Sequence, residues 1–370
     1  MTKVLFLIPN LAHGGAEKVL VNLANNMDKT KFDVTVQTLF DVGVNRQYLN
    51  SDVKFIGGFR RMPRCNTYVM KLFSPEKLFK YFIRDNYDII VSYLEGPTAR
   101  IVSGCTNPNT KLVSWIHIEQ HTKELASKSF RSYKEALDCY SKFDRTVCVS
   151  DTVKNDFESI FDTKKSVEVL YNTNESEKIK KLSAEKVDDV NFSKDIINII
   201  SVAKIVPSKG YDRLMKIHKK LIGKNIKNHI YILGIGEKKE KYEKYLTENN
   251  LTDTFTFLGY RDNPYKYVKK ADLYVCSSRR EGFSTAVTEA LIVGTPVVST
   301  NCSGAYELLG ENNEYGIVTE NNEDALYEGI KKMLTTPDLL EAYAAKAKER
   351  GKAFSTEKTV KAVEEMLESL

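Results

Sequence analysis

A chain of 370 residues and 42.1 kDa exceeds the size at which one hydrophobic core keeps growing, so two domains are expected. With 42% hydrophobic and 28% charged residues, 19 Gly and 9 Pro, it is neither disordered nor collagen-like, and no apolar run nears the roughly 18 residues of a membrane-spanning helix. The net charge of +6 is modest, so its distribution says more than its size.

In chain order, Val4 to Ile8 reads as a buried strand and Glu17 to Met27 as a helix with Val19, Leu20, Leu23, Ala24 and Met27 on one stripe. The start lacks a long apolar segment and a small-residue cleavage site, so a leader peptide is not expected. Phe32 to Leu39, Tyr87 to Ser92, Lys111 to Trp115, Arg145 to Val149 and Ser166 to Leu170 predict further strands, alternating with helical or irregular stretches. Lys54 to Arg84 stands apart. It holds eight basic residues, among them Arg60, Arg61, Arg64 and Lys77, against one acid, Glu76, interleaved with Phe59, Met62, Tyr68, Phe73 and Tyr81. That mixture suits an anionic membrane surface, or a solvated helical face over ordinary core. Nucleic acid is not expected, because no zinc-finger spacing, RNP-type motif or basic tail accompanies it.

Residues 176–194 turn polar with little apolar periodicity and read as a linker. A second alternation follows, with strands at Ile196 to Val202, Ile230 to Leu233, Thr254 to Leu258, Leu273 to Cys276, Pro296 to Thr300 and Gly316 to Val318. The chain thus divides into 1–175, a linker, 195–354 and a final helix over 355–370, whose Val360, Val363, Leu367 and Leu370 form a stripe. Strand and helix in alternation predict an α/β protein with parallel sheets. Six scattered cysteines, Cys65 included, form no Cys-x-x-Cys pair, so neither a zinc site nor a disulfide framework is expected and a reducing cytoplasm fits.

Ligands of open parallel sheets bind beyond the carboxyl ends of the strands, which directs attention to the turns there. After the first strand, His13-Gly14-Gly15-Ala16-Glu17 pairs two glycines with a helix start, where N–H groups can meet a phosphate, with a ligand-free tight turn as the rival reading. It lacks the third glycine of the dinucleotide fingerprint. Lys204 and Lys209, five residues apart on a strand-end loop, suit a diphosphate, with a solvated pair as the rival reading. The most specific element is Ser277 to Ala290, in which Glu281 sits in a turn, Glu289 within the next helix, and the N–H groups near Ser284 and Thr285 at its dipole-positive end.

On these residues the chain resembles the GT-B retaining glycosyltransferases of family four, whose second domain carries an E-x(7)-E element matched by Glu281 and Glu289. The likeness runs almost end to end, through Lys209-Gly210-Tyr211-Asp212, Leu233-Gly234-Ile235-Gly236, Phe257-Leu258-Gly259-Tyr260 and Gly294-Thr295-Pro296-Val297. It implies two Rossmann-like domains facing across a cleft, acceptor on the first and nucleotide-sugar donor on the second. It further implies Lys204 and Lys209 on the donor diphosphate, Glu289 on the ribose, Glu281 on the transferred sugar, and His117 of the first domain toward that sugar. The expected catalytic residues are His117, Lys209 and Glu281; Gly14, Gly15, Gly282, Phe283, Ser284 and Thr285 join Lys204, Lys209 and Glu289 in donor binding.

Two departures stand out: Ala203-Lys204 replaces the usual Gly-Arg, losing the planar fork, and Asn172-Thr173-Asn174-Glu175 only loosely matches an Asn-Gly-x-Asp segment. No Asp-x-Asp occurs, and His117-Ile118-Glu119-Gln120-His121 is not H-E-x-x-H, so no metal and no cofactor is expected. The resemblance therefore implies metal-independent, retaining transfer from a nucleoside diphosphate sugar, with UDP as the expected base, to a glycan that the basic window suggests is lipid-linked, as in surface-polysaccharide assembly. A peripheral location at the inner face of the cell membrane follows. The alternatives are a same-fold sugar-nucleotide epimerase and a noncatalytic partner of a transferase.

Overall fold

The computed structural model describes residues 1–12, 14–61, 66–162 and 165–370. His13, Met62, Arg64 and Cys65 lie outside the described residues. The chain forms two compact units, 1–174 with 356–370, and 175–355.

The first unit is built on strands β1 (Thr2–Ile8), β2 (Phe32–Thr38), β3 (Lys54–Ile56), β4 (Ile89–Ser92), β5 (Lys111–Ile116), β6 (Arg145–Cys148) and β7 (Ser166–Val169). They pair in the order β3-β2-β1-β4-β5-β6-β7, every pair parallel. Helices cover both faces of such a sheet, so its central strands run apolar without alternation. Val4 to Ile8 are accordingly all buried.

The second unit repeats the plan with β8 (Ile197–Val202), β9 (Asn228–Leu233), β10 (Phe255–Gly259), β11 (Leu273–Cys276), β12 (Val297–Thr300) and β13 (Ile317–Thr319), ordered β10-β9-β8-β11-β12-β13 and again parallel. Ile199, Ile230, Ile232, Leu273 and Val275 meet the buried faces of the helices Tyr211–Gly223 and Glu323–Thr335 in one core.

The stretch read as a linker differs from that expectation. It holds a helix, Ser176–Ser183, that belongs to the second unit, with Ile179 buried and the Leu182 carbonyl accepting from Asn263 Nδ2 at 2.8 Å. Phe192, farther on, is buried against Tyr231. The last helix, Thr356–Glu368, returns to the first unit. Its stripe of Val360, Val363, Met366 and Leu367 is buried, and Glu364 accepts from the Asp28 backbone at 2.6 Å. Cys105, Cys139, Cys148, Cys276 and Cys302 are free thiols. Among the described residues no helix is long and apolar enough to cross a membrane.

Candidate active site

Where the strand order of a parallel sheet reverses, the loops leaving the two flanking strands diverge and open a crevice. In the second unit those strands are β8 and β11. The loop after β8 carries Lys204 and Lys209; the loop after β11 carries Glu281. The two loops meet, with Lys209 Nζ 2.6 Å from Glu281 Oε1. Gly210 permits the approach: its φ is +68°, and a Cβ there would lie 2.0 Å from the Ser277 carbonyl oxygen. Burial disfavours the Lys209 ammonium, but the Glu281 carboxylate more than offsets this and holds its pKa above the ordinary lysine value.

Several groups fix this pair. Ser278 Oγ donates to Glu281 Oε1 at 2.5 Å, and Ser277 Oγ donates to the Lys209 carbonyl at 2.8 Å. Arg213 is 5% exposed, and its guanidinium donates to the Ser277 and Ser278 carbonyls at 2.6 to 2.9 Å and to Asn321 Oδ1 at 2.9 Å. Arg279 pairs with both carboxylate oxygens of Asp212 at 2.7 Å, tying one loop to the helix that follows the other. Lys204, by contrast, is exposed.

After Glu281 the chain enters the helix Thr285–Val293, capped by Ser284, whose Oγ accepts from the Val287 N–H. Its free N–H groups and dipole favour an anion at this end. Gly282, Phe283 and Ser284 are buried, and the Phe283 ring packs on Phe354, so this stretch can offer a ligand its backbone more readily than the Phe283 side chain. From Val287 to Val293 the helix is buried throughout, yet it carries Glu289, only 7% exposed, which accepts from Tyr265 at 3.5 Å. Glu289 is the one acidic side chain of this helix and lies a turn beyond its capped start.

In the first unit the reversal lies between β1 and β4. After β1, Gly14 precedes the helix Gly15–Asn26. A Cβ on Gly14 would lie 1.8 Å from Glu17 Oε2, so the Glu17 carboxylate folds back over the helix start, in the anion position that the two glycines were expected to offer a phosphate.

His117 follows β5. Its backbone N–H donates to Glu95 Oε2 at 2.9 Å, and its ring lies 4.9 Å from that of Tyr93 and stacks on Trp115. Burial pushes its pKa down to about 3, so the imidazole is neutral at pH 7. His117 Nε2, Tyr93 OH and Trp115 Nε1 are buried without a hydrogen-bond partner among the described residues. Unsatisfied polar atoms in one aromatic cluster cost free energy that ligand hydroxyls can recover.

The two histidines of the 117–121 segment part company. His121, at φ +63°, points its ring toward Asp156, and Glu119, His121 and Asp156 bring ligand atoms within 4.8 Å of one another. Asp156 already accepts the backbone N–H groups of Gln120 and His121.

Sequence reasoning missed Arg213, Ser278 and the Asp212 to Arg279 clamp. One signal was present: Arg213 occupies the same helical stripe as Ile217 and Leu221, a core position where an unpaired arginine would be costly.

Comparison with known proteins follows the division into units. Residues 13–174 match the model described as Glycosyltransferase Family 4, and residues 183–350 match the one described as Glycosyl transferases group 1. The N-acetylgalactosamine-N,N'-diacetylbacillosaminyl-diphospho-undecaprenol 4-alpha-N-acetylgalactosaminyltransferase of Campylobacter jejuni is 28% identical over 96% of both chains. The poly(ribitol-phosphate) alpha-N-acetylglucosaminyltransferase of Staphylococcus aureus is 25% identical over 77% of this chain and 55% of its own. Among solved structures, Anabaena HepE in complex with UDP superposes with a TM-score of 0.76 at 18% identity over 100% of both chains.

Proposed function

Because the chain belongs to the group 1 glycosyltransferases and has the GT-B fold, with one Rossmann-like parallel sheet in each unit, we propose that it transfers a sugar, with retention and without a metal ion, from a UDP-sugar to a lipid-linked glycan in surface-polysaccharide assembly. The observation that carries the donor side is the meeting of Lys209 and Glu281 at the β8 and β11 reversal, beside the start of the helix Thr285–Val293. Lys209, with Lys204 on the same loop, and the N–H groups of that helix take the diphosphate. Glu289 takes the ribose hydroxyls, and Glu281 holds Lys209 while facing the transferred sugar. His117, neutral, offers Nε2 to a sugar hydroxyl.

In the reaction the bond from the anomeric carbon to the diphosphate breaks and a bond to the acceptor oxygen forms on the same face. The acceptor's proton passes to the departing phosphate oxygen, and nucleoside diphosphate leaves. Preorganised positive charge where the phosphate charge develops lowers the barrier. A lipid-linked acceptor is supported by the diphospho-undecaprenol in the name of the Campylobacter jejuni relative.

The test is a panel of UDP-, GDP- and ADP-sugars scored by thermal stabilisation, followed by transfer to a lipid-linked glycan with the product linkage assigned by NMR. UDP-sugars should stabilise and the new bond should keep the donor's anomeric configuration. Stabilisation by GDP-sugars alone, or an inverted linkage, would overturn the reading.

A further inference from the structure

The basic window of the first unit contains an apolar groove. β2 and β3 run parallel, so the loops leaving them emerge at the carboxyl edge of the sheet, the edge that also carries His117 after β5. There Phe40 and Phe59, the helix Asn66–Met70 with its following turn, and the helix Pro75–Phe82 enclose a cavity of about 620 Å³. Ligand cavities are commonly about 300 to 1,000 Å³. The walls include Phe59, Val69, Phe73, Leu78, Tyr81 and Phe82, and the only charged groups lining it among the described residues are Arg61 and Lys77.

Exposed apolar side chains continue out of the groove. Leu72 is 76% exposed and Tyr68 64%, with Val69, Phe73, Phe59 and Tyr81 each about half exposed. The backbone beneath them is held firmly. Arg100, buried on the neighbouring helix Pro97–Val102, donates to the Met70 carbonyl at 2.9 Å and the Phe73 carbonyl at 2.8 Å while pairing with Glu135, and Arg131 Nε donates to the Lys71 carbonyl at 2.6 Å. Contiguous exposed apolar surface on a backbone so held marks a binding site.

Charge identifies the partner. Lys54 is neutralised by Asp85 and Glu76 by Lys142, whereas Arg60, Arg61, Lys77 and Lys80 have no carboxylate partner among the described residues. An apolar slot rimmed by unpaired cations fits a hydrocarbon chain that ends in a phosphate. We infer that this groove binds one apolar chain of a phosphate-bearing lipid, with Arg61 and Lys77 on the phosphate; the inference rests on the lipid-linked acceptor proposed above and places the lipid part of that acceptor at this groove.

Geranylgeranyl phosphate below its micelle concentration, titrated into the full chain by calorimetry, tests this, with geranylgeraniol as the neutral probe and vesicles of equal phosphatidylglycerol and phosphatidylcholine as the bilayer. The phosphate should bind at least tenfold more tightly than the alcohol. Lys77→Glu, and separately Val69→Gln with Phe73→Gln, should each weaken it at least tenfold. All three side chains are exposed, and unchanged emission from Trp115, buried in this unit and the sole tryptophan, reports that the unit stays folded. Equal binding by wild type and both variants overturns the inference. So does binding to vesicles with none to the monomeric probe, which would make the patch a bilayer contact, or loss of a dimer in the variants, which would make it a contact between copies. Failure here with donor-dependent transfer to a soluble glycan intact refutes the groove alone; absence of any nucleotide-sugar binding refutes the transferase reading instead.

Discussion

Lys209 and Glu281 are 72 residues apart in the chain and 2.6 Å apart in space, each on the loop leaving one of the two strands that flank the sheet reversal of the second unit. The pair makes phosphate binding and sugar contact interdependent. In Lys209→Ala the diphosphate loses its partly buried cation, and turnover should fall by about 2 kcal/mol or more of transition-state stabilisation. In Glu281→Ala the ammonium loses its partner and a diphosphate becomes its natural replacement. Bare UDP should therefore bind as tightly as before or more tightly, while kcat with the intact donor falls. In the Lys209→Ala background the effect of Glu281→Ala on UDP affinity should vanish, giving a coupling energy of about 0.5 to 3 kcal/mol by calorimetric double-mutant cycle. Strict additivity would mean the ion pair has no part in binding.

Glu289→Ala is expected to behave differently. Its carboxylate lies inside the helix, beyond the capped start, so its loss should weaken UDP and the intact UDP-sugar alike. Titrations of both ligands measure this, and unchanged UDP affinity would remove Glu289 from the ribose.

These relationships show which parts of the molecule were legible in its residues. An apolar run such as Val4 to Ile8 announces a parallel strand because both faces are buried, and the spacing of Glu281 and Glu289 locates the turn and helix that bear them. Contact between Lys209 and Glu281 was not legible, since it depends on β11 lying beside β8, and alternation of strands and helices does not state which strands are neighbours. The helix Ser176–Ser183 was hidden because Ile179 is its only buried apolar residue, set among three lysines and a glutamate. The stripe on Thr356–Glu368 announced that this helix packs, and nothing in its periodicity named the first unit as the place.

Arg213 should act as a positioning residue. Arg213→Met leaves the Ser277 and Ser278 carbonyls without their charged donor, a loss of about 2 to 3 kcal/mol in stability. Arg213→Lys should not restore it, because an ammonium cannot span two carbonyls as the planar fork does. Urea unfolding gives the stability. A kcat that falls while bound donor still saturates the enzyme separates mispositioned Glu281 from simple unfolding.

Two buried histidines set an acid limit on stability. Burial lowers His117 to about 3 and His218 to about 4, against about 6.5 in an unfolded chain. Between those values the unfolded chain binds protons that the folded one refuses. Their contribution is therefore whole above about pH 6.5 and is lost as pH falls through 6.5 toward 4. His117→Gln removes one such group, and the slope of unfolding free energy between pH 4 and 6 should flatten by about 1.4 kcal/mol per pH unit. An unchanged slope would place the His117 pKa near its ordinary value.

The remaining prediction concerns metal dependence. The proposed site gathers positive charge from Lys209, Lys204 and the start of the helix Thr285–Val293, which is the electrostatic work a divalent ion does for a departing diphosphate. Among the described residues one group, Glu119, His121 and Asp156, could ligate a metal; it lies in the first unit, and its Asp156 is already committed to two backbone N–H groups. Transfer should therefore survive exhaustive treatment with EDTA, and His121→Ala should retain wild-type kcat. Activity lost to EDTA and restored by manganese in the wild type, but not in His121→Ala, would assign the metal to that group. Loss and restoration in both proteins would instead place an ion among the donor phosphates, and Lys209 would then share its role with a cation.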